Sequence, residues 1–94
     1  MIKIHREMDT ITISGHANYS DSNDIVCASV SSVMYTTVNA IFNLNKDAIT
    51  FVDDGKECNI IINSKDKVTE SLVDNMMLMF EELHKQYPSN IKIN

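Results

Sequence analysis

The sequence predicts an α+β fold in the order β-β-α-β-β-α-β, with a mostly antiparallel or mixed sheet packed against two helices. Three observations predict it. Several short segments alternate apolar and polar residues, the period of a half-buried strand. Two long segments, near residues 24–43 and 67–86, place apolar residues at three- and four-residue steps, the period of a helix. Between two strand-like runs, Asp53-Asp54-Gly55-Lys56 reads as a hairpin turn. No repeat, linker or low-complexity segment divides the chain, so residues 1–94 are expected to form a single domain. At 94 residues it is near the low end of what builds a core unaided.

Residues 1–6 alternate around Ile2 and Ile4, and residues 10–14 around Ile11 and Ile13, so both are expected as strands joined through Glu7-Met8-Asp9. The first helix runs from about Asp24 to Asn43. Its main apolar stripe is Val26, Val30, Val33, Thr37 and Ile41, flanked by Met34. Asp24, Cys27, Ser31 and Tyr35 form a second stripe beside it. The rest of its surface is small and uncharged, which implies cover on more than one side, by the second helix or by another copy of the chain. Residues 48–52 and 57–62 form the next two strands. Cys58, Ile60 and Ile62 point one way, which makes Cys58 a small core residue rather than a reagent. After the polar connection Ser64-Lys65-Asp66-Lys67, the second helix is expected to bury Val68, Leu72, Met76, Met79 or Phe80, and Leu83. Glu70, Asp74, Glu81, Glu82 and Lys85 lie outside. Pro88 ends this helix, and Ile91 and Ile93 alternate in a last strand over residues 90–94. The six methionines read as core filler, and His5 and His84 as surface residues.

Charge narrows the function classes. Thirteen acidic residues against eight basic ones give a formal net charge of −5, with Arg6 the only arginine. Such a chain lacks the basic footprint that a phosphate backbone requires, so no direct nucleic-acid binding is expected. An acidic surface suits a basic protein or peptide. Cys27 and Cys58 are far apart and form no C-x-x-C, and the polar alternation of Ile2-Lys3-Ile4-His5-Arg6 is not a signal peptide. A reducing cytoplasm is the expectation. Ile25–Asn43 carries no charge, yet Ser29, Ser31, Ser32, Thr36, Thr37 and Asn39 interrupt it. A helix buried in protein explains it better than a membrane span.

Chemistry concentrates between Gly15 and Ser31. A strand ends at Gly15-His16, a polar loop follows, and a helix begins near Asp24, so Cys27 falls in its first turn. Unpaired N–H groups and the macrodipole favour negative charge there, and the thiolate is the nucleophilic form. His16 stands eleven residues upstream, across a loop short enough to return its imidazole to the sulfur as a general base. The plain alternatives are a buried structural cysteine and a loop histidine. Asp24 either caps the helix or orients His16 as a third member. Ser31 either hydrogen-bonds near the site or back-bonds to the Cys27 carbonyl. Gly15 supplies an irregular angle or a close approach, or is simply a strand end. His16, Asp21, Asp24 and Cys27 match no tight metal-ligand spacing, so neither metal nor cofactor is expected.

Gly15-His16-Ala17 followed by Asp24-Ile25-Val26-Cys27-Ala28-Ser29-Val30-Ser31 resembles the ribosomal-processing cysteine protease family (Prp), typified by G-H-A and then D-I-V-C-A-x-V-S. Length and element order agree over the whole chain. The resemblance implies a cytoplasmic bacterial homodimer that trims a short N-terminal extension from large-subunit ribosomal protein twenty-seven. It implies Cys27 as nucleophile and His16 as base, with Asp24, Ser31 and Gly15 holding or shaping the site. The loop Asn18–Asn23 departs from the family in lacking a glycine that many relatives place shortly before the aspartate. The leading expectation is therefore a cysteine endopeptidase whose oxyanion meets N–H groups at the start of the first helix. A different class remains beside it: a non-catalytic ribosome-assembly or binding module whose acidic surface docks basic proteins. A redox sensor is a weaker reading, because the sequence sets no resolving cysteine near Cys27.

Overall fold

The computed structural model describes residues 1–94 and has the expected seven elements in order. These are β1 (Ile2–Glu7), β2 (Thr10–Ser14), α1 (Ile25–Leu44), β3 (Ile49–Asp53), β4 (Glu57–Ile62), α2 (Lys67–Gln86) and β5 (Ile91–Ile93). The strands form one mixed sheet in the spatial order β3-β4-β2-β1-β5. Two antiparallel hairpins, β1–β2 and β3–β4, meet along β2 and β4, and β5 pairs parallel to β1. A parallel neighbour needs a long crossover, and the chain through α2 provides it.

Alternation gives the sheet one apolar face. Ile2, Ile4, Ile11, Ile13, Ile60 and Ile62 are buried, whereas Lys3, His5 and Ile61 are exposed between them. On the outer face Thr12 Oγ1 donates to Asn59 Oδ1 of its cross-strand partner at 2.8 Å. Both helices cover the apolar face and pack on each other.

The helices are rotated slightly from the expected stripes. α1 buries Val26, Val30, Met34, Val38 and Ile41, while Val33 and Thr37 fall on its half-buried flank. The Thr37 hydroxyl donates to Val33 O at 2.9 Å and needs no partner in the core. On α2 the buried edge runs through Thr69, Val73, Met76 and Phe80, leaving Val68 55% and Met79 44% exposed. Asp66 explains the difference. Its carboxylate caps the helix at the Thr69 N–H (2.8 Å) and also accepts from Thr69 Oγ1 (2.9 Å), so that hydroxyl is buried satisfied. Methionine is not uniformly core filler: Met34 and Met76 are buried, but Met8 is 89% exposed in the β1–β2 turn. His84 is half-buried rather than a free surface residue, because the last turn of α2 lies against β5 and sets Nδ1 2.7 Å from Ile91 O. By length and composition α1 is apolar enough to cross a membrane, and its core-facing stripe is buried on the sheet.

Cross-strand partners share a face, and one row of them leads towards the site. Ile4 pairs with Ile13, Ile13 with Cys58, and Cys58 with Asp53. Ile4 and Ile13 are buried beneath the helices, so Cys58 and Asp53 also face the helical layer.

Candidate active site

A cleft of about 260 Å³ opens between the end of β2, the first three turns of α1 and the β3–β4 turn. Gly15, His16, Cys27, Ser31, Tyr35 and Cys58 are among its lining residues. The local chain geometry assembles it. β2 ends at Gly15, whose φ of +85° is left-handed, and a Cβ there would overlap the Met1 carbonyl oxygen. Of the open readings for Gly15, the structure has both the irregular angle and the close approach.

Asp24 then ties the polar loop to the helix. One carboxylate oxygen accepts the N–H groups of Val26 and Cys27, both at 3.0 Å, as a helix cap. The other accepts those of Tyr19 at 3.0 Å and Ser20 at 3.4 Å. These N–H donors, that of Cys27 foremost, hold the Asp24 carboxyl below the usual carboxylate range against the opposing effect of burial. The carboxylate thus serves backbone donors in the loop and helix, and none of its hydrogen bonds goes to His16. Asn18 and Asn23, with φ of 56° and 51°, turn the loop between these anchors.

Cys27 is the third residue of α1, half-buried, and its sulfur accepts the Ala17 N–H at 3.2 Å. His16 is exposed at the cleft and sits beside Ala17 in sequence. The cleft therefore brings His16, Cys27, Ser31 and Gly15 together, with Asp24 behind them at the helix cap. Ser31 faces the cleft one turn after Cys27, and the back-bond to a helical carbonyl is made instead by Ser29 to Ile25 O, at 2.6 Å. Asp21 lies exposed in the loop, and no three His, Cys, Asp or Glu side chains converge as a metal site.

Two sequence expectations change here. Of the N–H groups at the start of α1 expected to meet an oxyanion, those of Val26 and Cys27 are held by the Asp24 carboxylate and that of Ala28 by the Asp24 carbonyl at 3.1 Å. The donor beside the sulfur is Ala17 N–H, from the loop. Cys58, expected in the core, is instead a half-buried wall of the same cleft, so a second thiol does stand in the neighbourhood of Cys27. Burial first, and then the Asp53 carboxylate, push the Cys58 thiol up, which keeps it in the unreactive protonated form. Tyr35 OH donates to Asp53 at 2.9 Å, which raises the tyrosine. The Gly55 N–H first, and then that tyrosine, lower Asp53. Neither the Ala17 N–H nor Asp53 was marked as a site group by sequence spacing, since Ala17 meets the sulfur from a buried position in the loop and Asp53 lines the cleft from the β3–β4 turn, both through tertiary contacts.

Comparison with known proteins is consistent over nearly the whole chain. The sequence profile described as cysteine protease Prp matches residues 1–92. The curated ribosomal processing cysteine protease Prp of Staphylococcus aureus is 27% identical over 88 residues, covering 89% of this chain and 83% of that one. Among solved structures, an essential ribosomal processing protease Prp from S. aureus, in complex with a covalently linked product peptide, superposes with a TM-score of 0.88. It is 25% identical and covers 100% of this chain and 98% of the other. The S. aureus protease in complex with a substrate peptide gives a TM-score of 0.81 at 24% identity, covering 99% and 95%. A Streptococcus mutans structure gives 0.78 at 22% identity, covering 99% and 90%.

Proposed function

Because this chain belongs to the cysteine protease Prp family, we propose that it is a cysteine endopeptidase of the bacterial cytoplasm, with a Cys27/His16 dyad. Its substrate is the short N-terminal extension of large-subunit ribosomal protein twenty-seven. The observation that carries this reading is the Cys27 sulfur at the start of α1, in an open cleft that it shares with His16. A non-catalytic docking module has no need of a thiol and an imidazole lining one cleft. The S. aureus relative that holds a covalently linked product peptide has the same fold.

The chemistry follows from these groups. His16 takes the Cys27 proton, and the sulfur attacks the scissile carbonyl carbon to form the C–S bond. As the sulfur gives up its charge in the C–S bond, the Ala17 N–H that it held at 3.2 Å is released to the oxyanion forming on the carbonyl oxygen. Collapse breaks the C–N bond, and His16 returns the proton to the leaving amine. Water, deprotonated by His16, then cleaves the thioester and regenerates the thiol. Asp24 holds the loop and the helix start in register, and Ser31 lines the wall. The net charge of −5 favours approach of a basic ribosomal protein.

The same reading includes a homodimer. Ile25–Leu44 contains no charged residue and, away from the cleft, leaves Phe42 and Leu44 exposed. Between the helices runs an uncharged groove of Ser32, Val33, Thr36, Thr37, Asn75 and Met79. A second copy covering this face gives a molar mass in solution twice the 10.6 kDa of the chain.

The deciding experiment is Cys27→Ala with the extended ribosomal protein, followed by intact mass. Loss of the extension is expected with the parent chain and not with the variant, whose circular dichroism stays unchanged. Cleavage by a folded Cys27→Ala variant refutes the assignment.

A further inference from the structure

The loop that carries His16 has little to hold it. From Gly15 to Asn23 only Ala17 is buried, at 1% exposure. Asp24 anchors the loop at Tyr19 and Ser20, on the far side of Ala17 from the histidine. Beyond the bond from its N–H to the Cys27 sulfur, what fixes Ala17 comes from the other end of the chain. Asn90 Nδ2 donates to Ala17 O at 2.9 Å, across 73 residues of sequence. Asn90 is in turn held through its own backbone, its N–H on Tyr87 O at 3.0 Å and its carbonyl accepting Ile2 N–H at 2.8 Å. The Tyr87 ring meets Tyr19 of the loop edge-on, with centroids 5.4 Å apart.

We propose that Asn90 is a positioning residue for the reaction: its side-chain amide fixes Ala17 so that the Ala17 N–H stays on the Cys27 sulfur and His16 stays at the cleft. A backbone donor stabilises a thiolate or an oxyanion only while it is held within hydrogen-bond distance, and misplacement by about 1 Å costs on the order of a hundredfold in rate. The carbonyl of Ala17 is buried with its residue, so the Asn90 amide also supplies a hydrogen bond that water does not replace. This role rests on the cysteine-protease reading, but the placement of Ala17 on the sulfur is testable without substrate.

Asn90→Asp is the test, because it keeps the shape and turns the donor into an acceptor facing the Ala17 carbonyl. With the extended ribosomal protein, kcat is expected to fall roughly tenfold to a hundredfold, while KM changes by less than about twofold. Alkylation of Cys27 by iodoacetamide, read by peptide mass, is expected to slow in the same variant at a temperature where it is fully folded. A merely structural role would lower the melting temperature and leave both rates of the folded protein unchanged, which overturns the proposal. Should Asn90→Asp fail to fold, Asn90→Ala decides by the same two rates, and failure of both to fold overturns a positioning role in favour of a structural one. If Cys27→Ala still cleaves while Asn90→Asp still slows alkylation, the protease reading falls and the placement of Ala17 stands. If Cys27→Ala is inactive and Asn90→Asp matches the parent in both rates, only the role of Asn90 falls.

Discussion

Gly15 and Gly55 provide a controlled comparison, because both have a φ of +85° and only their surroundings differ. An alanine at either position pays for a left-handed backbone, about 1–2 kcal/mol for an L-residue. It recovers about 0.4–1 kcal/mol by restricting the unfolded chain. At Gly55 nothing lies within 4 Å of the added Cβ, so Gly55→Ala should cost about 0–1.6 kcal/mol in total, the difference of those two effects. At Gly15 the Cβ overlaps the Met1 carbonyl oxygen. That carbonyl belongs to the peptide whose other end, Ile2 N–H, donates to Asn90 O at 2.8 Å. Moving it aside strains or breaks a hydrogen bond worth about 0.5–1.5 kcal/mol, with lost packing in addition. Gly15→Ala should therefore be less stable than Gly55→Ala by at least about 1 kcal/mol, roughly 4–8 °C in melting temperature for a domain of this size. Urea denaturation of the two variants side by side measures the difference. Equal midpoints and equal slopes would refute the claim that the Met1 peptide is fixed against Gly15.

Asp24→Asn keeps the size of the side chain, but in either amide orientation two of its four backbone N–H donors lose their acceptor. Cleavage should fall by more than the small drop in melting temperature explains, and steady-state kinetics with thermal melts separates the two. Because folding depresses the Asp24 carboxyl below its ordinary 3.8, its stabilisation is complete above that value and is lost as pH falls through the folded one. The advantage of the parent over Asp24→Asn should thus shrink below pH 3.8, followed by acid titration of both. Cys58, whose thiol is pushed up by burial and by Asp53, should remain unlabelled while Cys27 is alkylated at neutral pH. Asp53→Asn should speed labelling of Cys58, and peptide mapping that finds the two cysteines equally labelled in the parent overturns this assignment.

Much of the fold was legible because each element has a clear period and clear ends. Asp24 and Asp66 both occupy N-cap positions, and the turn at Asp53–Lys56 closes β3 on β4. What periodicity leaves open is the phase of a helix. Val68 and Thr69 are adjacent, and hydrophobicity alone favours burying Val68. The choice was reversed by the Asp66 carboxylate, which satisfies the Thr69 hydroxyl. Strand parity correctly set Cys58 on the side of Ile60 and Ile62, but parity does not say whether a helix covers that position. At Cys58 the helical layer gives way to the cleft. The candidate site divides in the same way. His16, Asp24, Cys27 and Ser31 lie within one short segment, and their spacing was readable. Met1 reaches that segment through the β1–β2 hairpin and Asn90 through the β1–β5 pairing, and no local pattern marks either.

That pairing is the single parallel contact in the sheet, and it gives the topology a chemical consequence. Running β5 alongside β1 brings the residue before β5, Asn90, to the same end of the sheet as the residue before β1, Met1. β2 runs antiparallel to β1, so it finishes at that end too, with Gly15 and the loop of His16 and Ala17. Three chain segments thus converge at one sheet end. Met1 sets how closely Gly15 approaches, Asn90 holds the Ala17 carbonyl, and the Ala17 N–H reaches the Cys27 sulfur. An antiparallel β5 in the same place would have carried Asn90 along β1 to the level of His5, about four residue rises or roughly 13 Å away by ordinary strand geometry. The sulfur would then sit against a loop held by Asp24 alone.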